Sequence, residues 1–182
     1  MEVRRILSLE NRNDNWTQLL IYLTNDGICS GFVNCSRRRL MDFLNNVSTC
    51  KSEDSSGDYI RIKEARIDCL NRRESAEVAS ISKDDILFIK PVGHKSSPFM
   101  LKRPPVIRLH FPSYILAGRI HNHLGSHRKS ALDSVLDFFP INDVDITLRA
   151  SNFKHKAPYV IVNKNHISFI EEIGTHRVAL HD

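Results

Sequence analysis

Apolar residues recur along this chain in short runs separated by turn-forming residues, and the same series of runs occurs twice. Leu19-Leu20-Ile21-Tyr22-Leu23 is followed by Asn25-Asp26-Gly27 and a second run containing Gly31. Val106-Ile107-Arg108-Leu109-His110-Phe111 is followed by Pro112-Ser113 and a second run containing Gly118. Each reads as a strand, a turn and a strand, because Asn, Asp and Gly accept the backbone angles of tight hairpins. A glycine inside a strand predicts a bend or bulge at the same place in both copies. Leu40, Phe43, Leu44 and Val47 then stand at i, i+3, i+4, i+7, as do Leu132, Val135, Leu136 and Phe139. That spacing predicts a short helix in each copy, with Ser36 and Ser130 as N-caps and Pro140 closing the second.

Tyr59–Ile67 and Phe138–Ile146 both alternate apolar and polar residues toward their ends, as half-buried strands do. The closing blocks agree most closely: Ser82–Gly93 and Asn163–Gly174 share Lys, Ile, Phe, Ile and Gly at matching positions. Each copy therefore reads strand, bent strand, helix, strand, hairpin, strand. The expected fold is mainly β with short helices, an α+β tandem duplication of a small barrel-type module. The expected division is a first module over 1–93, a linker over 94–105 and a second module over 106–182. Three prolines and three Lys/Arg mark the linker, and 48–58 reads as a polar loop without a counterpart in the second copy.

Composition changes this picture little. Of 182 residues, 41% are hydrophobic and 26% charged, which suits a globular chain. No apolar run approaches the roughly 20 residues of a membrane span, and the N-terminal residues lack a signal-peptide core, so a cytoplasmic protein without membrane insertion is expected. Cys29, Cys35, Cys50 and Cys69 form no close C-x-x-C pair, which fits free thiols in a reducing compartment. Charge separates the copies: residues 1–93 hold 14 basic and 14 acidic residues, whereas 94–182 hold 12 and 7 and all nine histidines.

The Gly-bent hairpin and the closing Lys-x-x-Ile-x-Phe-Ile pattern resemble the Sm-like small-barrel fold. With Asp42-Phe43-Leu44-Asn45 and Val162-Asn163-Lys164-Asn165-His166-Ile167, the chain also looks like an uncharacterised bacterial domain family present in two copies. The resemblance implies a fold and no activity. RNA-binding Sm-like proteins carry an Asp…Asn pair and an Arg-Gly pair, and here Ile81-Ser82-Lys83 and Val162-Asn163-Lys164 stand at the second position. An RNA role is therefore not implied with the fold.

Three groups of residues suggest chemistry. His121, His123 and His127 have the spacing of a metal site, since His-x-His puts two rings on one strand face, but no acidic or Cys ligand lies near and the first copy has Asn34-Cys35-Ser36 there. Arg37, Arg38 and Arg39 open the first predicted helix, and His127, Arg128 and Lys129 the second, where cations oppose the macrodipole. Arg72, Arg73, Lys154 and Lys156 at the hairpin tips, with Lys102 and Arg103 of the linker, complete a candidate basic stripe for nucleic acid or an acidic partner. Phosphate loops, G-x-S-x-G elbows and H-E-x-x-H motifs are absent from the sequence. The expected function is a non-catalytic binding or assembly module without a cofactor, joining a protein partner or itself. Nucleic-acid binding by the second copy is the alternative, and metal or pH sensing by the histidines the next.

Overall fold

The computed structural model describes residues 16–35, 39–46, 57–69, 72–93, 106–120, 136–151 and 153–173. The first copy supplies β1 (Trp16–Leu23), β2 (Ile28–Asn34), α1 (Leu40–Leu44), β3 (Tyr59–Cys69), β4 (Arg72–Ser82) and β5 (Ile86–Pro91). The second supplies β6 (Val106–His110), β7 (Tyr114–Ile120), β8 (Phe138–Leu148), β9 (Lys154–Asn163) and β10 (Phe169–Ile173). A three-residue 3-10 turn, Lys83–Asp85 or Lys164–His166, precedes the last strand of each copy. Both turns are capped alike: Ser82 Oγ accepts from the Asp84 N–H, and Asn163 Oδ1 from the Asn165 N–H.

The ten strands form one antiparallel sheet in the order β10-β6-β7-β8-β9-β5-β1-β2-β3-β4. Each half has the same internal order, with its last strand beside its first. Register makes the halves superimposable by position: Leu19 faces Gly31 in one and Ile107 faces Gly118 in the other. On the far side of each glycine the ladder slips, between Ser30 and Phe32 and between Ala117 and Arg119. The residue absorbing the slip has a positive φ, 54° at Glu64 and 51° at Asp143. Here glycine serves close approach. A Cβ on Gly31 would meet the Ile62 side chain and stand 2.8 Å from the Lys63 carbonyl oxygen, and one on Gly118 would stand 2.9 Å from that of Asn142.

The core explains why the sheet is continuous. Leu19, Ile21, Leu23, Ile86 and Ile89 lie in one cluster with Val33, Ile60, Ile62 and Leu44 of the first copy. Their neighbours Tyr22, Leu87 and Phe88 lie in the other, with Leu109, Leu116, Ile141 and Val160 of the second. Conversely, Phe138 and Ile161 of the second copy belong to the first cluster. Where they meet, β1, β5 and β9 bury both faces, and Leu19–Leu23, Ile86–Ile89 and Val160–Val162 accordingly read as apolar runs and not as alternation.

Two expectations are corrected. The α+β fold of small barrels with packed helices gives way to an almost all-antiparallel structure of one ten-stranded sheet, whose only α-helix among the described residues is the five-residue α1. The second helical stripe fails because Phe139 lies in β8, opposite Val162, and Leu136 is exposed outside any element. Pro140 therefore closes no helix. It sits in β8 just beyond the last described β7 pair, Ile120–Ile141, opposite Ile161 of β9. Val47, Leu132, Val135, the linker 94–105, the proposed caps Ser36 and Ser130, and most of the 48–58 loop lie outside the described residues. Among the described residues, no helix is long and apolar enough to cross a membrane.

Candidate interaction edges and the seam between the copies

The copies meet where β5 pairs with β9, through Phe88–Val162 and Ile89–Ile161. Side chains close the same seam. Asn45, at the C-cap of α1, donates to the Phe138 carbonyl at 2.9 Å and accepts from the Phe138 N–H at 2.9 Å, so one amide satisfies both backbone groups. Asn163 donates to the Lys83 carbonyl at 3.2 Å, and His166 Nε2 donates to the Asp84 carbonyl at 2.6 Å. Phe88 stacks on Tyr22 at 4.2 Å and meets the edge of Tyr114 at 5.3 Å. Burial, then the Tyr114 charge, raises the Tyr22 hydroxyl to about 12, while burial and then Lys90 lower His155. The Tyr22 hydroxyl and His155 Nε2 share a hydrogen bond at 3.3 Å.

A small polar cleft of about 110 Å³ opens on this seam, lined in part by Lys83, Asn46, Asp58, Asp137 and Asn163. The Lys83 ammonium donates to Asn46 at 2.7 Å, and burial lowers its pKa against the pull of Asp58 and Asp137. A second cleft, about 190 Å³, lies between Trp16, Asn34, Phe43, Arg61, Lys63 and Val78, where the Lys63 ammonium sits 5.5 Å from the Trp16 ring centre. Both are smaller than the 300–1,000 Å³ typical of small-molecule sites. Their residues hold the sheet ends together and show no nucleophile poised beside a base.

Among the described residues, the two ends of the sheet are open. β4 closes one end and β10 the other, each with a single neighbouring strand. β10 is held on β6 by a polar network: Arg108 pairs with Glu171 at 2.7 Å, and His110 bonds Glu171 through Nε2 at 3.3 Å. Arg149 donates to His110 Nδ1 at 3.0 Å and to the Phe111 carbonyl at 3.1 Å. With Nδ1 accepting, His110 Nε2–H is the donor to Glu171. The Phe169 ring stacks on His110 at 3.8 Å and is 55% exposed.

The proposed basic stripe is not assembled by the described residues. Arg72 and Arg73 begin β4 at the end of the sheet order, whereas Lys154 and Lys156 begin β9 in its middle. Arg73 pairs with Asp68 at 2.8 Å, Arg72 with Glu74, and Lys156 approaches Asp145 at 3.9 Å. Arg39 caps α1 without a side-chain bond and is exposed. Arg37, Arg38, Lys102, Arg103, Arg128, Lys129, His121, His123 and His127 lie outside the described residues. Among the described residues, no three His, Cys, Asp or Glu side chains cluster as metal ligands would. The sequence reading missed the residues that distinguish seam from edge: Asn45, Tyr22, Phe88, Tyr59, Val78 and Phe169. The signal was present in the apolar runs Leu19–Leu23, Ile86–Ile89 and Val160–Val162, which predict burial on two faces.

No family model, no curated protein and no solved structure matches this chain.

Proposed function

We propose that this chain is a non-catalytic assembly module that joins protein partners by strand addition at its two open edges, β4 and β10. The observation that carries this reading is the β5–β9 seam, where the chain itself joins two units edge to edge. An edge strand offers unpaired N–H and C=O groups to an incoming strand, and β-augmentation is a common mode of recognition. The two apolar and seam clefts are small, and the larger one of about 390 Å³ beside Arg66, Asp68, Arg73, Glu74 and Ser75 is lined by charged surface groups, two of them the Arg73–Asp68 pair, which supports a binding role. We place the module in a reducing, cytoplasmic compartment; supporting this, Cys29 and Cys35 are buried, unpaired thiols, each raised to about 11, chiefly by burial.

The test is recovery of the tagged full chain from its host, alongside edge variants Ser80→Pro in β4 and Ile170→Pro in β10. Proline at an edge removes an outward donor without breaking the inner ladder. The reading expects polypeptides, identified by mass spectrometry, that accompany the wild type and are lost with one or both variants. Unchanged recovery with both variants, each still folded by circular dichroism, would overturn it.

A further inference from the structure

The two open edges stand in the same relation to each other as the two strands of the seam. β10 is the second copy's equivalent of β5, and β4 is the first copy's equivalent of β9. Register fixes the equivalence residue by residue. Ile21 faces Ile89 as Leu109 faces Ile170, and Tyr22 faces Phe88 as His110 faces Phe169. Phe138 faces Asn163 as Tyr59 faces Ser82, and Pro140 faces Ile161 as Arg61 faces Ser80. The stacked pair is present twice: Tyr22 on Phe88 at 4.2 Å within the seam, and His110 on Phe169 at 3.8 Å at the open end.

Exposure follows the same logic. At the seam Phe88 and Phe138 are buried, and Tyr159 packs against the first cluster. Their equivalents at the ends are Phe169, Tyr59 and Val78, with 55%, 48% and 46% of their surface exposed. These are three of the six large apolar side chains exposed among the described residues. Large apolar groups exposed at the positions that a neighbouring unit covers elsewhere in the same molecule mark an interface lacking its second half.

From this we infer that the occupant of each edge is a second copy of this chain, docked head to tail, with β10 of one copy pairing with β4 of the next. The inference rests on the edge-addition reading of the previous section. The expected register repeats the seam: Phe169 opposite Ile81 and Ile170 opposite Ser80 of the neighbour. The donors point the right way. Val92 N–H bonds Gln18 on the β1 side, so by strand alternation Ile89 N–H faces β9, and Ile170 N–H faces outward likewise. Pro140, opposite Ile161, has no N–H to give it, so Ile161 and its equivalent Ser80 also direct their ladder bonds outward. The contact is heterologous, and each copy keeps one β4 and one β10 surface, so repeated docking closes a ring or continues as a filament.

The junction is also more polar than the seam. Ser80 stands where Ile161 does, Ser168 where Leu87 does, and His110 where Tyr22 does. Docking is therefore reversible and depends on concentration, whereas the seam is permanent.

Sedimentation velocity of the full chain over a range of concentrations tests this. The wild type is expected to associate as concentration rises. Ser80→Pro, which blocks only the β4 side, and Phe169→Asp, which blocks only the β10 side, are each expected to weaken association at least about tenfold. An equimolar mixture of the two variants is expected to give a 1:1 dimer and nothing larger, because one functional edge of each kind remains. Val78→Lys serves as the β4 block if Ser80→Pro does not fold. A wild type that stays monomeric, single variants that associate as it does, or a mixture that forms no dimer would each overturn the inference. A monomeric wild type whose host partners are nonetheless lost with the edge variants would overturn self-docking and leave the edge-addition reading standing. Loss of neither property with any variant would remove both.

Discussion

The seam and the open ends of this sheet are one contact in two states. At the seam, Phe88 and Ile89 meet Val162 and Ile161, and all four side chains are fully buried. At the ends, the equivalent strand positions carry Phe169, Ile170, Ile81 and Ser80, of which only Ile81 is buried. Fully burying a Phe or Ile side chain contributes roughly 1.5–3 kcal/mol, so the difference between the two contacts amounts to several such terms. The polar substitutions at the ends also keep exposed edges from sticking indiscriminately, since a long, flat apolar edge is an aggregation site. One covalent chain thus contains a permanent version of the contact and the two unjoined halves of a weaker version.

The largest expected effect comes from removing the same ring on the two sides of that comparison. Phe88→Ala empties a fully buried site in the second core cluster and is expected to destabilise the full chain by about 3–5 kcal/mol in urea unfolding. Phe169→Ala removes a half-exposed ring at the equivalent position and is expected to change stability by less than about 0.5 kcal/mol. Equal losses would break the distinction between seam and edge. Unfolding of the wild type is expected as one transition, because Tyr22, Leu87 and Phe88 of one copy and Phe138 and Ile161 of the other complete each other's cores.

Next in size are the bend glycines, which compare the two copies directly. Gly31→Ala forces a methyl against Ile62 and the Lys63 carbonyl, and is expected to cost about 1–3 kcal/mol by overpacking. Gly118→Ala meets Asn142 O at 2.9 Å and the Val144 side chain at 3.1 Å, so its loss is expected at the low end of that range. Asn45→Ala is expected to cost about 1–2 kcal/mol, because the partly buried N–H and carbonyl of Phe138 lose their shared partner. Thermal unfolding of the three variants checks the ranking. A Gly118→Ala loss larger than that of Gly31→Ala would show that the two bends are not built alike.

Much of this frame was legible in the residues. The Asn25-Asp26-Gly27 turn, with Asp26 at φ 61°, and the paired bends at Gly31 and Gly118 follow from local backbone preference, which a sequence states directly. The end of the second helical stripe did not, because Leu136 and Phe139 satisfy a helical period with Leu132 and Val135 while Phe138 and Phe139 also start a strand. Pairing with β9 decided between them, and pairing is a long-range property. Relations between strands distant in sequence were equally hidden. Nothing local in Phe88 or Phe169 says that one is covered by the other copy and the other is not. The candidate cations illustrate the same limit: Arg73 and Lys156 read as free basic positions until register sets Asp68 and Asp145 beside them.

The smallest expected effects are on pH dependence, and they too separate the seam from the edge. His155, at the seam, is lowered from its ordinary value of 6.5, first by burial and then by Lys90. Between the lowered and the ordinary value the unfolded chain binds more protons, so stability is fully present above about 6.5 and falls as pH drops from there to the lowered value of the half-buried ring. Glu171, at the β10 edge, is lowered from 4.5, first by its hydrogen bond from Arg108 and then by that from His110. Its contribution is present above the ordinary carboxylate value and is lost only as pH falls below it, through the depressed value. Unfolding midpoints measured from pH 8 downward are therefore expected to show a shallow decline in mild acid that His155→Gln removes, and a further decline in stronger acid that Glu171→Gln reduces. High salt is expected to weaken the second decline more than the first, because the Arg108–Glu171 pair is solvent-exposed and screened, whereas His155 responds mainly to burial. A mild-acid decline that survived His155→Gln unchanged would mean that the Tyr22–His155 contact does not report on the seam.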